Sequence, residues 1–419
     1  MRIGFSEYWG VAKKKNMALL SAATMVSRFG DQFTLLALLE LIEKLNPGSF
    51  GIFGNSALFN TTPPILFGII AGVLIDRWSK KTTVLVADAA RALLVLAIPI
   101  LVALTGSIWS CFGIIFLIST FTLLFNAARM TIIPMVVDKD KLLQGNSIST
   151  AMLRVGMIAG AVAGWFVIKY HGWELAIYID AATYGLSFLL ILFMSLGEKK
   201  RESTTQVIDQ AKDKFKKTLS DTWQGIKTMS SNRMMVFVVI SLFVMFSISA
   251  VAYSVIIPVI QQTLNMGTEG VVEMGAIAAI GMLLGSVLVG LVGKGIDRRY
   301  FIVGGYLLIG ISFGVGVLFI NIWVMRALMM VAGLVFGVIG VAHDTILHNK
   351  VPADIRGRVF SNKELINSVP FLIIAFVGGH LADILSYQAV LLGTGGIISA
   401  FSLVWLGFLI REKSRDNKP

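Results

Sequence analysis

The chain has 419 residues, of which 56% are hydrophobic and 14% charged, with a mean hydropathy of +0.80 and a formal net charge of +12. Such a composition excludes an ordinary soluble domain, in which about half the residues are apolar and about a quarter charged. The charge does not describe a nucleic-acid binder either, because the basic residues form no continuous soluble patch; they are spread over short segments between apolar runs, so no nucleic-acid partner is expected.

A bilayer core about 30 Å thick is crossed by about 20 apolar residues as helix. Twelve runs meet that length, near 17–42, 50–75, 82–105, 108–136, 143–168 and 174–196, and then near 234–261, 270–293, 300–320, 323–348, 358–385 and 388–410. Lys13, Lys14 and Lys15 precede the first run like the start of a signal peptide, but no small-residue cleavage site follows and the run is too long, so a retained helix is expected. Of the 36 Lys and Arg, 29 lie before the first run, after the even-numbered runs or in the tail, counting Arg358 and Lys363 at the start of the eleventh run with the gap that precedes it. Only Lys44, Lys169 and Arg326 lie in the other gaps, and Arg28, Arg91, Arg129 and Arg154 lie within runs. The positive-inside rule then puts both termini in the cytoplasm, with the basic gaps facing anionic headgroups of the lipid bilayer. Cys111 is the single cysteine, which excludes an intramolecular disulfide and a cysteine-based metal cluster.

The longest polar stretch divides the chain into an N-terminal six-span half (1–196), a connector (197–233) and a C-terminal six-span half with a short tail (234–419). In the connector, Ile208, Ala211, Phe215, Leu219, Trp223 and Ile226 recur at helical spacing between lysines, as in an amphipathic helix under the bundle. The halves echo each other: Thr131, Ile132 and Val137 match Thr345, Ile346 and Val351 at a constant offset of 214 (345 minus 131). Two related six-helix halves are the layout of alternating-access transporters, whose substrate site lies between the halves near the midplane.

At the end of the second run the chain reads Gly72-Val-Leu-Ile-Asp76-Arg77-Trp78-Ser79-Lys80-Lys81, which resembles the signature loop of the major facilitator superfamily, with Ser79 in place of the usual glycine. Ser27-Arg28-Phe29-Gly30-Asp31, Ala87-Asp88 with Arg91, and Arg356-Gly357-Arg358-Val359-Phe360 make the resemblance closer to its macrolide-efflux-like branch, and it extends over essentially the whole chain. The resemblance implies an all-α membrane protein of twelve transmembrane helices in two pseudo-symmetric six-helix bundles. It implies a monomeric exporter in a bacterial cytoplasmic membrane, with a small-molecule substrate, protons as the coupling ion and no cofactor. Lysophospholipid transporters of the same superfamily share much of the pattern, so a lipid cargo is the alternative.

Each unpaired charge at the bilayer centre costs about 2.5–3.5 kcal/mol, so Arg28, Asp31, Arg154 and Asp180 need partners or water and mark a polar interior. Arg28 and Asp31 are three apart and share a helix face, and Arg154 lies at a comparable depth, so a salt-bridge cluster stands beside a substrate or proton site as the reading of these residues. Asn60, Asn126, Tyr253 and Asn367 are uncharged polar groups inside their runs that either line the cavity or bond a neighbouring helix. Arg77 and Lys80 of the signature loop, with Asp76, Asp88, Arg91, Arg129, Asp344 and His348, lie at the cytoplasmic ends of their runs, where ion pairing between helices would close an inner gate. The resemblance implies a latch between Asp76 and Arg129.

His343, Asp344 and His348 raise a metal site, but at about 100° per residue the two histidines diverge, whereas Asp344 and His348 share a face and read as a bonded pair. Gly156, Gly160 and Gly164 form a small-residue stripe that lets helices approach closely. Pro63, Pro64, Pro99, Pro258 and Pro370 fall within runs and should kink them. No catalytic domain or nucleophile constellation is legible, so the chain reads as a transporter and not as an enzyme or receptor. The leading expectation is proton-driven export of amphipathic or hydrophobic molecules with Asp31 as the acid; a metal exporter resting on the histidines is the weakest alternative.

Overall fold

The computed structural model describes residues 5–196, 233–292, 296–350 and 353–416. The described residues are almost wholly helical and contain no β-strand, as expected of an all-α membrane protein. In chain order the helices are α1 (Phe5–Ala12), α2 (Lys15–Leu45), α3 (Gly51–Arg77), α4 (Lys80–Thr105), α5 (Ile108–Val136), α6 (Leu142–Leu192), α7 (Arg233–Val251), α8 (Gly267–Val292), α9 (Arg298–Leu318), α10 (Ile322–Lys350), α11 (Ala353–Ile384) and α12 (Tyr387–Asp416). Among the described residues, eight segments are long and apolar enough to cross a membrane. α2 is not one of them although it has 31 residues, because Arg28, Asp31, Gln32 and Thr34 fall within its apolar length. The connector helix expected within 197–233 lies outside the described residues, Arg233 apart.

Local chemistry explains the boundaries. Ser79 accepts a hydrogen bond from the Thr82 amide at 3.2 Å and so caps α4. Its φ of −59° needs no glycine, and a serine cap satisfies an amide that glycine would leave to solvent. Gly106, with φ 60°, closes the same helix in the left-handed conformation that glycine adopts without strain. The fifth and sixth runs, read as separate spans, form one helical stretch broken only at Gly172 (φ 85°, ψ 177°). A residue without Cβ can reverse direction there in one step. In the short connection between α5 and α6, Lys14 from the start of α2 donates to Asp138 at 2.6 Å, and its ammonium holds that carboxyl below the ordinary carboxylate range.

The chain forms two compact units, Met1–Pro47 with Phe59–Thr218, and Gly48–Leu58 with Leu219–Pro419. The first turns of α3 group with the second unit. In the first unit the expected glycine stripe seats α6 on α2. A Cβ at Gly156 or Gly160 would overlap the carbonyl oxygens of Met25 and Phe29, so the two backbones touch. Ile75, Val84, Phe125, Ile132 and Ile191 fill the core beside this pair.

In the second unit, Gly281 and Gly285 on α8 and Gly333 and Gly337 on α10 play the same role, each having the partner's backbone where a Cβ would go. Phe237, Val255, Tyr306, Ile339 and Leu391 form the core. The start of α3 is capped in trans. Asp383 of α11 accepts from the amides of Phe50 (2.6 Å) and Gly51 (2.9 Å) and from the Ser49 hydroxyl (3.2 Å). These are the amides that a helix start leaves unsatisfied. Past Val251, α7 continues through two π-helical segments, Ala252–Ile256 and Val259–Thr263, on either side of Pro258.

Candidate functional site

The first unit holds a connected set of charged groups among α2, α4, α5 and α6. Asp88 and Arg91 are one turn apart on α4, 0% and 1% exposed, and paired with each other. Asp88 also accepts from Ser187 at 2.7 Å, and Arg91 donates to Ser27 (3.3 Å) and to the Ala87 carbonyl (3.3 Å). The guanidinium lies against the Phe125 and Tyr184 rings, 4.5 and 4.3 Å from their centroids, so both its edge and its faces are satisfied. Ion pairs joining helices were expected here. Instead the pair is internal to one helix, and the neighbouring helices contribute hydroxyls and rings, which tie the charges down without adding further buried charge.

Tyr184 extends the network by donating to Asp31 at 2.6 Å. Asp31 pairs with Arg28 at 2.9 Å, and Arg28 also donates to Asn126 at 2.8 Å. This pair is half-buried, with side-chain exposures of 24% for Arg28 and 16% for Asp31. Asp180 is 0% exposed and accepts only from hydroxyls, those of Thr34 and Thr183. No Lys or Arg among the described side chains pairs with it. Gly30 makes its approach to α2 feasible, since a Cβ there would overlap the Thr183 hydroxyl and the Asp180 carboxylate. Three carboxylates and two guanidiniums thus lie among these helices, with Asp180 tied to α2 through Thr34 and bonded to neither guanidinium.

Other expected residues lie apart from this set. Arg154 is exposed within its unit and has no ion pair or hydrogen bond among the described residues, so the cluster with Arg28 and Asp31 closes without it. The reason is register: Gly156 and Gly160 occupy the α6 face that meets α2, and Arg154 falls to the side. Asn60 accepts from Ser119 at 2.6 Å. Arg129 is buried and donates to Ser149. Lys80 bonds the Trp78 carbonyl at 3.1 Å. In the second unit, Tyr253 is bonded to Ser56 at 2.7 Å, and His343 is buried and shares a 2.7 Å hydrogen bond with Ser241, which also contacts Tyr306. Asp344 is exposed on α10, and no cluster of three metal-binding side chains occurs among the described residues. The side chains of Asp76, Arg77, His348 and Asn367 lie outside those described.

Tyr184, Ser187, Thr34 and Ser27 were not anticipated from sequence. Asp180, Tyr184 and Ser187 stand at i, i+4 and i+7, one face of α6, and that spacing was the available signal.

The profile of the Major Facilitator Superfamily matches residues 20–361 and 276–419. The chain belongs to the Major Facilitator Superfamily. Among the superfamily's curated members it is 22% identical over 410 residues to an uncharacterized transporter, YfiS of Bacillus subtilis, covering 96% of this chain and 95% of that one. It is 23% identical to macrolide efflux protein A of Streptococcus pyogenes, covering 85% and 87% of the two chains. The crystal structure of the nucleoside transporter NupG superposes with a TM-score of 0.68 at 14% identity, covering 94% of this chain and 98% of that one. As a superfamily member the protein is a multi-pass membrane transporter.

Proposed function

We propose that this transporter exports amphipathic or hydrophobic small molecules across a bacterial cytoplasmic membrane in exchange for protons, by alternating access of its two units and with both termini in the cytoplasm. The export reading draws on the similarity to macrolide efflux protein A. The proton reading draws on one observation: the region holds three carboxylates, Asp31, Asp88 and Asp180, but two guanidiniums, each paired with one of the first two, so Asp180 can take a proton without leaving a cation unpaired. Asp88 holds Arg91 and Asp31 holds Arg28. Asp180, bonded only to hydroxyls, is therefore the seat of the proton, and Asp31, joined to the same α6 face through Tyr184, is its relay to the half-buried surface. Asp88, Arg91, Arg129 and the signature loop at Asp76, Arg77 and Lys80, with Asp344 and His348, form the inner gate in this reading.

One proton entering down about 100 mV and one pH unit releases about 2.3 plus 1.4 kcal/mol, enough for a cargo gradient of several hundredfold. The test is transport in proteoliposomes with macrolides, lipophilic cations and lysolipids, with and without an imposed pH gradient. Asp180→Asn should abolish gradient-driven accumulation while leaving counterflow exchange intact. Undiminished gradient-driven transport by that variant refutes the proton assignment, and lysolipid movement indifferent to uncouplers would favour the lipid reading.

A further inference from the structure

The second unit contains a cavity of about 480 Å³ that the proton chemistry leaves unused, and every residue lining it belongs to that unit. The volume is within the usual range for small-molecule sites, about 300–1,000 Å³. No charged residue lines it, and its only polar side chains are Ser249, Tyr253 and Ser312. All three hydroxyls are engaged. Ser249 donates to the Met245 carbonyl (3.1 Å) and Ser312 to that of Leu308 (2.7 Å). Ser56 donates to the Phe53 carbonyl (2.8 Å), which leaves Tyr253 as the donor in the 2.7 Å bond to Ser56. The wall therefore offers lone pairs, rings and thioethers, but neither a counter-ion nor a spare donor.

A second feature converges on the same place. The π-helical turns of Ala252–Ile256 and Val259–Thr263 supply Ala252, Tyr253, Ile256 and Ile260 to the wall. Such widened turns are uncommon and are found frequently at functional sites. The wall also includes Phe313, Phe336, Met274 and Met329, and flexible thioethers together with rings suit a surface that adapts to more than one apolar shape.

We propose that this cavity is a binding site for uncharged, ring-bearing lipophiles that donate hydrogen bonds and do not need to accept them. An ion would enter without a partner and lose its hydration, so the site selects against charge. That the ligand is transported cargo rests on the export reading; that the site exists does not.

Gly275 lines the cavity, and a Cβ added there meets nothing within 4 Å, so the side chain of Gly275→Leu starts in open space and takes up part of the cavity. Gly290, on the same helix, has equally open surroundings and does not line the cavity, so Gly290→Leu is the control. The probe is N-phenyl-1-naphthylamine, neutral and with one N–H, titrated by fluorescence into full-length protein in nanodiscs, with empty nanodiscs as background. Removing two or more methylene-sized contacts should weaken binding by about tenfold or more in Gly275→Leu, against less than about twofold in Gly290→Leu. Tetraphenylphosphonium in large excess should not displace the probe. Equal affinity in wild type and Gly275→Leu at matched melting temperature, or displacement by the cation, overturns the site. Dye transport in proteoliposomes separates the two readings. Binding that Gly275→Leu abolishes, without gradient-driven dye export by the wild type, overturns export and upholds the site; export that survives Gly275→Leu at full rate overturns the site.

Discussion

The Asp88–Arg91 pair should behave as one energetic unit, and a double-mutant cycle measures this directly. Arg91→Met keeps the length and apolar volume of the side chain but leaves Asp88, 0% exposed, with Ser187 as its remaining partner among the described residues. An uncompensated buried charge of this kind costs about 3–5 kcal/mol. Asp88→Asn strands the guanidinium instead, and the Phe125 and Tyr184 rings offset part of that, on the order of 0.5–2 kcal/mol, so the loss should be about 2–4 kcal/mol. The double variant buries no charge in this place and should lie within about 2 kcal/mol of wild type, giving a coupling of about 3 kcal/mol or more. Equilibrium unfolding in mixed micelles, followed by circular dichroism, yields all four corners of the cycle. If the double variant loses the sum of the two single losses to within about 0.5 kcal/mol, the pair is not what neutralises these charges and the description of the network fails.

Two further outcomes concern packing and capping. Gly160→Ala forces a methyl into the Phe29 backbone and should destabilise the first unit by several kcal/mol, on the order of an overpacked core or more, whereas Gly185→Ala, whose surroundings are open, should gain about 0.5–1 kcal/mol in helix propensity; thermal melts of the two variants side by side decide this. Asp383→Ala removes the acceptor for Phe50 and Gly51 and should cost about 1–2 kcal/mol, with faster amide exchange confined to the first turn of α3; protection unchanged at those amides would contradict the trans cap.

The membrane class and the helices were legible because both follow from the length and polarity of runs, and hydrocarbon enforces that pattern residue by residue. The α2–α6 contact was legible through Gly156 and Gly160, since a stripe of small residues has little other use than close approach. What the sequence could not supply was partnership. Arg28, Asp31 and Arg154 looked equivalent by depth, yet rotation about α6 removes Arg154 from the group. The partners of Asp88 and Arg91, which are Ser27, Ser187, Phe125 and Tyr184, were not legible because they are residue types that occur everywhere in a membrane bundle. The apolar cavity was invisible for the same reason: nothing in Met274 or Phe313 distinguishes a lining residue from a core one.

The internal repeat carries the fold further than it carries the chemistry. At the offset of 214 that aligns Thr131 with Thr345, Asp31, Asp88 and Asp180 face Met245, Ile302 and Thr394, and Arg28 and Arg91 face Leu242 and Gly305. All five charged members of the network are thus replaced by uncharged residues in the second half. The glycine pairs have moved as well. They draw α6 onto α2 in the first unit, which closes the space around Asp180, and α8 onto α10 in the second, where α7 with its π turns remains beside an open volume. One device, backbone contact through glycine, therefore yields a tightly bonded polar core in one unit and an apolar chamber in the other. A duplicated scaffold can diverge in this way because burying an ionised group requires partners on every side, whereas leaving a void requires only that one helix pair be drawn together away from its neighbour. On the proposed reading, proton exchange and recognition of uncharged cargo occupy different units, so exchange requires reciprocal coupling between them, and cargo affinity that is the same in wild type and Asp180→Asn across the pH range would refute the exchange.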